Sequence, residues 1–150
     1  MRRMTGSMVL VLALSVVCPT MAAAADEAKT QSIRALVIKE CGSCHLPYKP
    51  KFLPGGAWEK IMASLKDHYG DVVSLPPDVA GAISKFYVSG GSWESWKVAP
   101  GQTLPRITTQ PWWKRAMGDL DFKKPRIRSR SNCGACHTNA DAYLAVPKDE

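Results

Sequence analysis

The sequence predicts a mainly α-helical protein, and three observations support this prediction. Apolar residues recur at helical spacing over residues 26–39, 58–68 and 79–87. We expect Gly70 to end the second of these helices, Pro76-Pro77 to start the third, and Pro111 to open a further short helical turn. A segment rich in glycine, serine and proline at residues 90–105 divides the chain into a longer and a shorter half. The pattern C-x-x-C-H occurs once in each half, and no βαβ pattern is apparent.

Residues 1–25 have the features of a secretory signal peptide. Two arginines precede an apolar run over residues 8–17, and small residues follow up to Ala25. The run is shorter than the roughly 20 residues that a membrane-spanning helix needs. We therefore expect cleavage after Ala25 and a periplasmic mature chain without a transmembrane segment. Lipidation of Cys18 is the alternative, although Val17 stands where a small residue is expected before a lipidated cysteine.

Four of the five cysteines remain after cleavage, and all four belong to the C-x-x-C-H motifs. This motif attaches c-type haem: two thiols bind the porphyrin, and the histidine ligates the iron. Two thiols on one helical turn reach neighbouring vinyl groups, while the next residue points its imidazole at the ring centre. We therefore predict two covalent haem c groups with their iron. The predicted attachment residues are Cys41, Cys44, His45, Cys133, Cys136 and His137.

Paired cysteines also occur in disulfides, zinc sites and thioredoxin-like redox motifs. A zinc ribbon needs no histidine after each pair. A redox C-x-x-C does not normally occur twice, with histidine following both times, in a chain that lacks a βαβ pattern. Export agrees with haem, because covalent haem attachment in bacteria is completed outside the cytoplasm.

The chain has three histidines, and His45 and His137 serve as the predicted proximal ligands. The third, His68, continues an apolar stripe that begins with Trp58 and Ile61 at helical spacing. Because two haems need partners, we predict that His68 ligates iron as a distal ligand. A histidine packed in the core is the alternative.

A thioether can supply the remaining axial ligand, and the mature chain offers Met62 and Met117. Met62 lies in the helix that carries His68, where methionine usually packs in the core. Met117 is the better candidate, because it follows a proline-initiated, tryptophan-rich turn at residues 111–116. One alternative is that Met117 packs in the core. The others are that a lysine, the N-terminal amine or water takes its place at the iron, or that the site is empty. We assign His68 to the first haem and Met117 to the second by proximity in sequence, with a crossed arrangement as the alternative.

The motifs also predict the domain organisation. The shorter half has few aliphatic residues and cannot build a core without its haem. We expect Trp93 and Trp96 to pack on a haem or across the two halves. The predicted segments are a signal peptide (1–25), a cytochrome-c-like N-terminal haem domain (26–89), a connecting loop (90–105) and a short haem-wrapped C-terminal domain (106–150).

The formal net charge is +7, and a basic run occupies residues 123–130. The propionates of two haems offset much of this charge, so the composition does not favour a nucleic-acid partner. The basic run is either a docking patch or propionate clamp, or an ordinary solvated loop. Arg106 is a second candidate for contact with a propionate, which a guanidinium binds in a bidentate manner.

The order of these motifs resembles the dihaem cytochromes c of proteobacteria. The resemblance implies a mostly helical periplasmic electron carrier whose partners are a membrane-bound b-type cytochrome or an oxygen-binding monohaem cytochrome c. Members of that family have a second distal histidine shortly after an aromatic pair, where this chain has Ala116 and Met117. The residues that carry the resemblance are the two haem motifs, Leu46-Pro47-Tyr48, Phe52-Leu53-Pro54, Trp58, Asp67-His68-Tyr69-Gly70-Asp71, Arg106-Ile107-Thr108 and Pro111-Trp112-Trp113.

We therefore expect a one-electron carrier between a membrane-bound or soluble donor and a periplasmic haem protein. We do not expect an enzyme, since the sequence contains no Ser/His/Asp set or phosphate loop. If the haem beside Met117 has an open or labile sixth position, the alternative is a haem enzyme or a protein that binds a gas or peroxide.

Overall fold

The computed structural model describes residues 20–92, 96–118 and 120–139, with side chains from residue 24 onward. Cys18, Trp93 and most of the predicted signal peptide lie outside these residues. No strand is present in the described part of the chain, which contains two isolated bridges only, so the predicted mainly α fold is confirmed. The helices are α1 (Thr20–Cys41), α2 (Gly55–Ala63), α3 (Pro77–Ser89) and α4 (Pro111–Met117), with short 3₁₀ helices at Pro50–Phe52, Leu65–Asp67, Ile107–Thr109 and Cys133–Ala135.

Three of the predicted helices are confirmed. The first, expected at residues 26–39, is the central part of α1, which the alanines at 22–25 extend because alanine has the highest helix propensity. α3 and α4 each begin with a proline, whose fixed φ suits the first helical turn. None of the helices described is long and apolar enough to cross a membrane.

The prediction of one helix over residues 58–68 is wrong at its C-terminal end. α2 ends at Ala63, and a separate 3₁₀ turn at Leu65–Asp67 leads to His68. The backbone N–H of Val73 donates to Leu65 O (2.8 Å), and that of His68 donates to Asp71 O (2.7 Å). These bonds to the returning chain replace those of a continuing helix, and Gly70, with φ of 101°, allows the reversal.

The hydrophobic core lies where α3 packs against both α1 and α2. Trp58 and Tyr87 are in contact at its centre, with ring centroids 4.3 Å apart. Met62 is half-buried against this core, which confirms the packing role predicted for it. The core therefore includes residues of both predicted halves, namely Val37, Leu53, Ala57, Trp58, Ile61, Ile83, Tyr87, Ile107 and Trp113.

The predicted connecting loop is fixed at its start and near its middle. The backbone N–H of Ser92 donates to Leu53 O (3.0 Å), and a Cβ on Gly91 would lie 2.4 Å from the backbone nitrogen of Gly55, so this approach requires glycine. Near the middle of the loop, the backbone of Lys97 exchanges hydrogen bonds with the buried side chain of Gln110. Trp96 packs against the core. The domain boundaries themselves stay a prediction.

Candidate functional site

The first C-x-x-C-H motif lies at the end of α1. Cys41 is the last residue of the helix, and Gly42 N donates to Ile38 O (2.9 Å). A Cβ on Gly42 would lie 2.3 Å from the same oxygen, so the tight turn requires glycine there. The turn exposes Cys44 and leaves His45 half-buried. The end of α1 therefore positions all three predicted attachment residues of the first haem.

His45 has the tautomer that a metal ligand needs. Its Nδ1 lies 2.9 Å from Leu46 O. A carbonyl oxygen only accepts hydrogen bonds, so Nδ1 carries the proton and donates it. The lone pair of Nε2 is then available for a metal, with the ring oriented by the backbone.

The imidazole of His68 faces that of His45. The ring centroids are 6.4 Å apart, and the ring planes are inclined by 15°. A metal–imidazole bond is about 2 Å long and each nitrogen is about 1 Å from its ring centre, so rings on opposite sides of one metal have centres about 6 Å apart. The separation of His45 and His68 thus fits a single iron held between two parallel rings.

The surroundings of His68 also fit a metal ligand. Burial, followed by the nearby His45, lowers the pKa of His68, while Asp71 acts in the opposite direction. The neutral imidazole that this favours is the form that ligates metal. Nδ1 of His68 is buried and has no hydrogen-bond partner among the residues described. A buried polar atom without a partner costs free energy. A group bound at this nitrogen would offset that cost.

The second C-x-x-C-H motif lines a cavity between α4 and the segment that follows it. Cys133 begins a 3₁₀ turn, and His137 N donates to Cys133 O (2.9 Å). The empty volume is about 610 Å³, including space open to solvent. The lining residues are Tyr48, Phe52, Ile107, Thr108, Trp112, Trp113, Met117, Leu120, Phe122, Ile127, Ser129, Arg130, Asn132, Cys133, Cys136 and His137.

The structure brings Met117 into this second cavity. Met117 is the last residue of α4, is half-buried and lines the cavity together with Cys133 and His137. His68 is not among the residues that line it and faces His45 instead. The geometry therefore favours the direct assignment of His68 and Met117 over the crossed arrangement.

Tyr48 lies between the two sites, a position that the sequence did not predict. Its ring stacks on His45 with centroids 5.0 Å apart, and it also lines the second cavity. Burial, followed by the proximity of Cys133, raises the pKa of Tyr48 to about 12. The position of a tyrosine three residues after a haem motif only weakly predicts a role at both sites, because its contact with the second motif depends on the tertiary fold.

Two arginines lie next to the candidate sites. The Arg106 guanidinium is 4.5 Å from the ring centroid of Tyr69, beside the turn that carries His68. The guanidinium of Arg130 lies 5.9 Å from the ring centroid of Trp113 and contributes to the second cavity. Each is therefore close enough to a predicted haem to be a candidate partner for a propionate.

The geometry does not favour the zinc and disulfide alternatives. In the part of the chain that the structure describes, none of the four motif cysteines forms a disulfide. Within the described ranges, no group of three or more His, Cys, Asp or Glu side chains is placed to hold a metal ion. Burial, followed by Glu40 and Cys44, raises the pKa of the Cys41 thiol to about 11.

Three solved structures of dihaem cytochromes are similar to this chain. The X-ray structure of a dihaem cytochrome type c from Shewanella baltica OS155 is 29% identical, with 76% of this chain and 88% of that chain covered and a TM-score of 0.61. A crystal structure of DHC purified from Rhodobacter sphaeroides is 36% identical, covering 74% and 96% of the two chains with a TM-score of 0.57. A dihaem cytochrome c from Rhodobacter sphaeroides is 32% identical, covering 74% and 95% with a TM-score of 0.60.

Among curated protein sequences, none matches this chain at a significant level. The sequence model of the dihaem cytochrome c family (DHC) matches residues 37–144. This match includes both C-x-x-C-H motifs and the segments that carry His68 and Met117. The resemblance noted from the sequence is thus confirmed: the chain belongs to the dihaem cytochrome c family and carries two haem c groups.

Proposed function

We propose that this protein is a periplasmic one-electron carrier that takes electrons from a membrane-bound or soluble donor and delivers them to a periplasmic haem protein. Membership of the dihaem cytochrome c family implies electron transfer through haem. The observation that carries the proposal is the pair of near-parallel imidazoles of His45 and His68, 6.4 Å apart. When protein side chains fill both axial positions, no position on the iron is left for a substrate, and electron exchange is favoured over catalysis.

In this proposal each haem has its own set of residues. The first haem is bonded to Cys41 and Cys44, and the second to Cys133 and Cys136. His45 and His68 would hold the iron of the first haem, and His137 and Met117 would hold that of the second.

A bound haem supplies a one-electron iron couple, and the protein supplies its position and surroundings. The carbonyl of Leu46 orients His45 through Nδ1. At the second cavity, Trp112, Trp113 and Phe122 contribute aromatic surface that excludes water. These residues hold the ligands in place and lower the local polarity, both of which tune the potential.

The two haems differ in their distal ligand in this proposal. A thioether raises the reduction potential relative to an imidazole, so the haem of Met117 has the higher potential of the two. If Met117 does not ligate, that haem has an open position, and binding of a small ligand or peroxidase-like chemistry becomes the alternative function. The observation that favours this alternative is that the chain has three histidines and all three are already proposed as ligands, so no histidine is left for this position.

Periplasmic location rests on the signal-peptide features of residues 1–25. The family resemblance suggests a membrane-bound b-type cytochrome or an oxygen-binding monohaem cytochrome c as the partner. Co-purification from a periplasmic extract, followed by a redox titration of each component, identifies the donor and acceptor.

Spectra of the oxidised protein test the carrier proposal. We expect two low-spin ferric haems by paramagnetic resonance, one of which shows a methionine-to-iron charge-transfer band. Intact-mass analysis of the exported protein should show the added mass of both haems. A high-spin haem that readily binds cyanide or carbon monoxide would instead support the haem enzyme or ligand-binding protein.

The variant Met117→Ala tests the distal ligand of the second haem directly. We expect the charge-transfer band to disappear and the potential of one haem to change, because the thioether is lost. Met62→Ala is the matched control, since Met62 is a half-buried methionine that packs against the core. Unchanged spectra and potentials in Met117→Ala would remove Met117 from the ligand set.

A further inference from the structure

The segment that lines one side of the second cavity combines an exposed apolar residue with a high density of positive charge. Leu120 lines the cavity and is 46% exposed. Residues 111–132, which form α4 and the segment after it, contain seven basic and two acidic residues. We call the basic side chains of this segment the cationic rim; its members are Lys114, Arg115, Lys123, Lys124, Arg126, Arg128 and Arg130.

The fold separates the apolar side chains of this segment from the cationic rim. Phe122 and Ile127 line the second cavity, and Ile127 is buried. Their neighbours in sequence, Lys123, Lys124 and Arg126, are exposed. The segment therefore turns these apolar side chains towards the second cavity and the charges of Lys123, Lys124 and Arg126 towards solvent.

Local hydrogen bonds fix the segment in this conformation. The backbone N–H groups of Ile127 and Arg128 donate to Lys124 O (2.8 and 3.0 Å). The side-chain amide of Asn132 donates to Ile127 O (2.9 Å), and Asn132 itself lines the cavity. The charges are thus presented at defined positions next to the second haem, as a docking surface requires.

The exposed charges are not neutralised within the described part of the protein. No carboxylate described lies within ion-pair distance of Lys123, Lys124 or Arg126. The carboxylate of Asp121 instead accepts a hydrogen bond from the backbone N–H of Lys123 (3.0 Å). The rim therefore has a positive field that a partner can complement.

We propose that Leu120 and the cationic rim form the docking surface for an acidic redox protein, which exchanges electrons with the second haem. A small apolar centre with a charged border is the anatomy of a transient protein interface, and weak redox complexes bury little area. A membrane surface fits less well, because binding at a bilayer needs a continuous apolar face, and Leu120 is the one exposed large apolar residue described in this segment. This inference rests on the proposed carrier function.

Two charge-reversal variants of equal net charge test the proposal in the haem-loaded protein. The rim variant is Lys124→Glu/Arg126→Glu, and the control is Lys29→Glu/Lys85→Glu, which changes two exposed lysines on α1 and α3. Reduced flavodoxin, an acidic electron carrier, serves as the protein probe. Hexacyanoferrate(III) and tris(phenanthroline)cobalt(III) serve as small oxidants of opposite charge, and all rates are measured by stopped flow at low and high salt.

We expect the rim variant to slow electron transfer from flavodoxin by about tenfold at low salt, since steering by charge changes association rates by at least this factor. Oxidation of the second haem by hexacyanoferrate(III) should slow as well, while oxidation by the cobalt complex should accelerate. High salt should remove these differences, and the control variant should behave nearly as the wild type. The neutral variant Lys124→Gln/Arg126→Gln should show an effect of the same sign and smaller size.

Other outcomes overturn the proposal. Equal slowing in the rim and control variants would show that only net charge matters. Binding of the wild-type protein, but not the rim variant, to vesicles of phosphatidylserine and phosphatidylcholine, with unchanged flavodoxin kinetics, would identify a membrane surface instead. Failure of the carrier function is recognised separately, because the wild-type protein would then contain a high-spin haem that readily binds cyanide or carbon monoxide.

Discussion

The two haem sites are supported by different amounts of protein. The first lies between the end of α1 and the turn after α2, next to a core that includes Val37, Ile61 and Ile83. The second depends on the short helix α4 and on residues 120–139, where Ile127 is the one described residue that is buried. A segment with so little apolar burial cannot hold its shape by itself. The comparison indicates that the first haem binds to a structured region, whereas the second haem completes the region that binds it.

Removing each haem in turn is the strongest test of this difference between the two sites. In Cys133→Ser/Cys136→Ser, which cannot attach the second haem, we expect residues 120–139 to lose nearly all protection against amide hydrogen exchange. In Cys41→Ser/Cys44→Ser, α2 and α3 should keep most of their protection, because their packing does not depend on that haem. Exchange measured by mass spectrometry on both variants gives the answer, and equal loss of protection in the two would contradict it.

Trp113 links the shorter half to the core of the longer half. It is 6% exposed and belongs to the same cluster as the buried residues of α1 to α3. We expect Trp113→Ala to lower the free energy of unfolding by about 3–5 kcal/mol, the usual cost of removing a buried aromatic side chain. Denaturant unfolding of the haem-loaded protein measures this.

The neighbouring tryptophan is the control. Trp112 is half-buried, and its Nε1–H donates to Phe52 O (3.1 Å). Trp112→Phe keeps an aromatic ring and loses this hydrogen bond, so it should cost only about 1 kcal/mol. A loss in Trp113→Ala as small as that in Trp112→Phe would show that the halves are not coupled through Trp113.

The distal ligand of the first haem can be tested with little change to the fold. His68→Ala should convert the signal of the first haem from low spin to high spin and allow it to bind cyanide, while the signal of the second haem stays unchanged. Lys66→Ala is the control, because Lys66 is an exposed residue of the same turn. Paramagnetic resonance on the ferric proteins separates the two haems. A low-spin first haem in His68→Ala would exclude His68 as its ligand.

Local sequence patterns predicted several features of the fold correctly. The starts of α3 and α4 at Pro77 and Pro111 are examples, because a proline at the first turn depends on residues close in sequence. The haem motifs are likewise local, since their thiols and histidine lie within five consecutive residues. The distal assignment of His68 remains a prediction whose geometry is favourable.

Features that depend on distant parts of the chain were missed. The end of α2 at Ala63 follows from hydrogen bonds to Asp71 and Val73, which the apolar stripe does not reveal. Gln110 can be buried because its amide donates a hydrogen bond to the backbone of Lys97. Such polar contacts leave no periodic pattern in the sequence, since each depends on where the tertiary fold places a single backbone group.

Tyr48 is shared by the two sites, so replacing it tests whether they are separate. The expected effect is small. The Tyr48 ring stacks on His45 and lines the second cavity. We expect Tyr48→Leu to produce small shifts in the paramagnetic resonance g-values of both haems, since it removes an aromatic contact from one ligand and opens the wall of the other site. Tyr48→Phe, which keeps the ring, should restore the wild-type spectrum. Phe52→Leu is the control, because Phe52 lines the second cavity, and it should shift the g-values of the second haem alone. If Tyr48→Leu also shifted only the second haem, Tyr48 would belong to one site only.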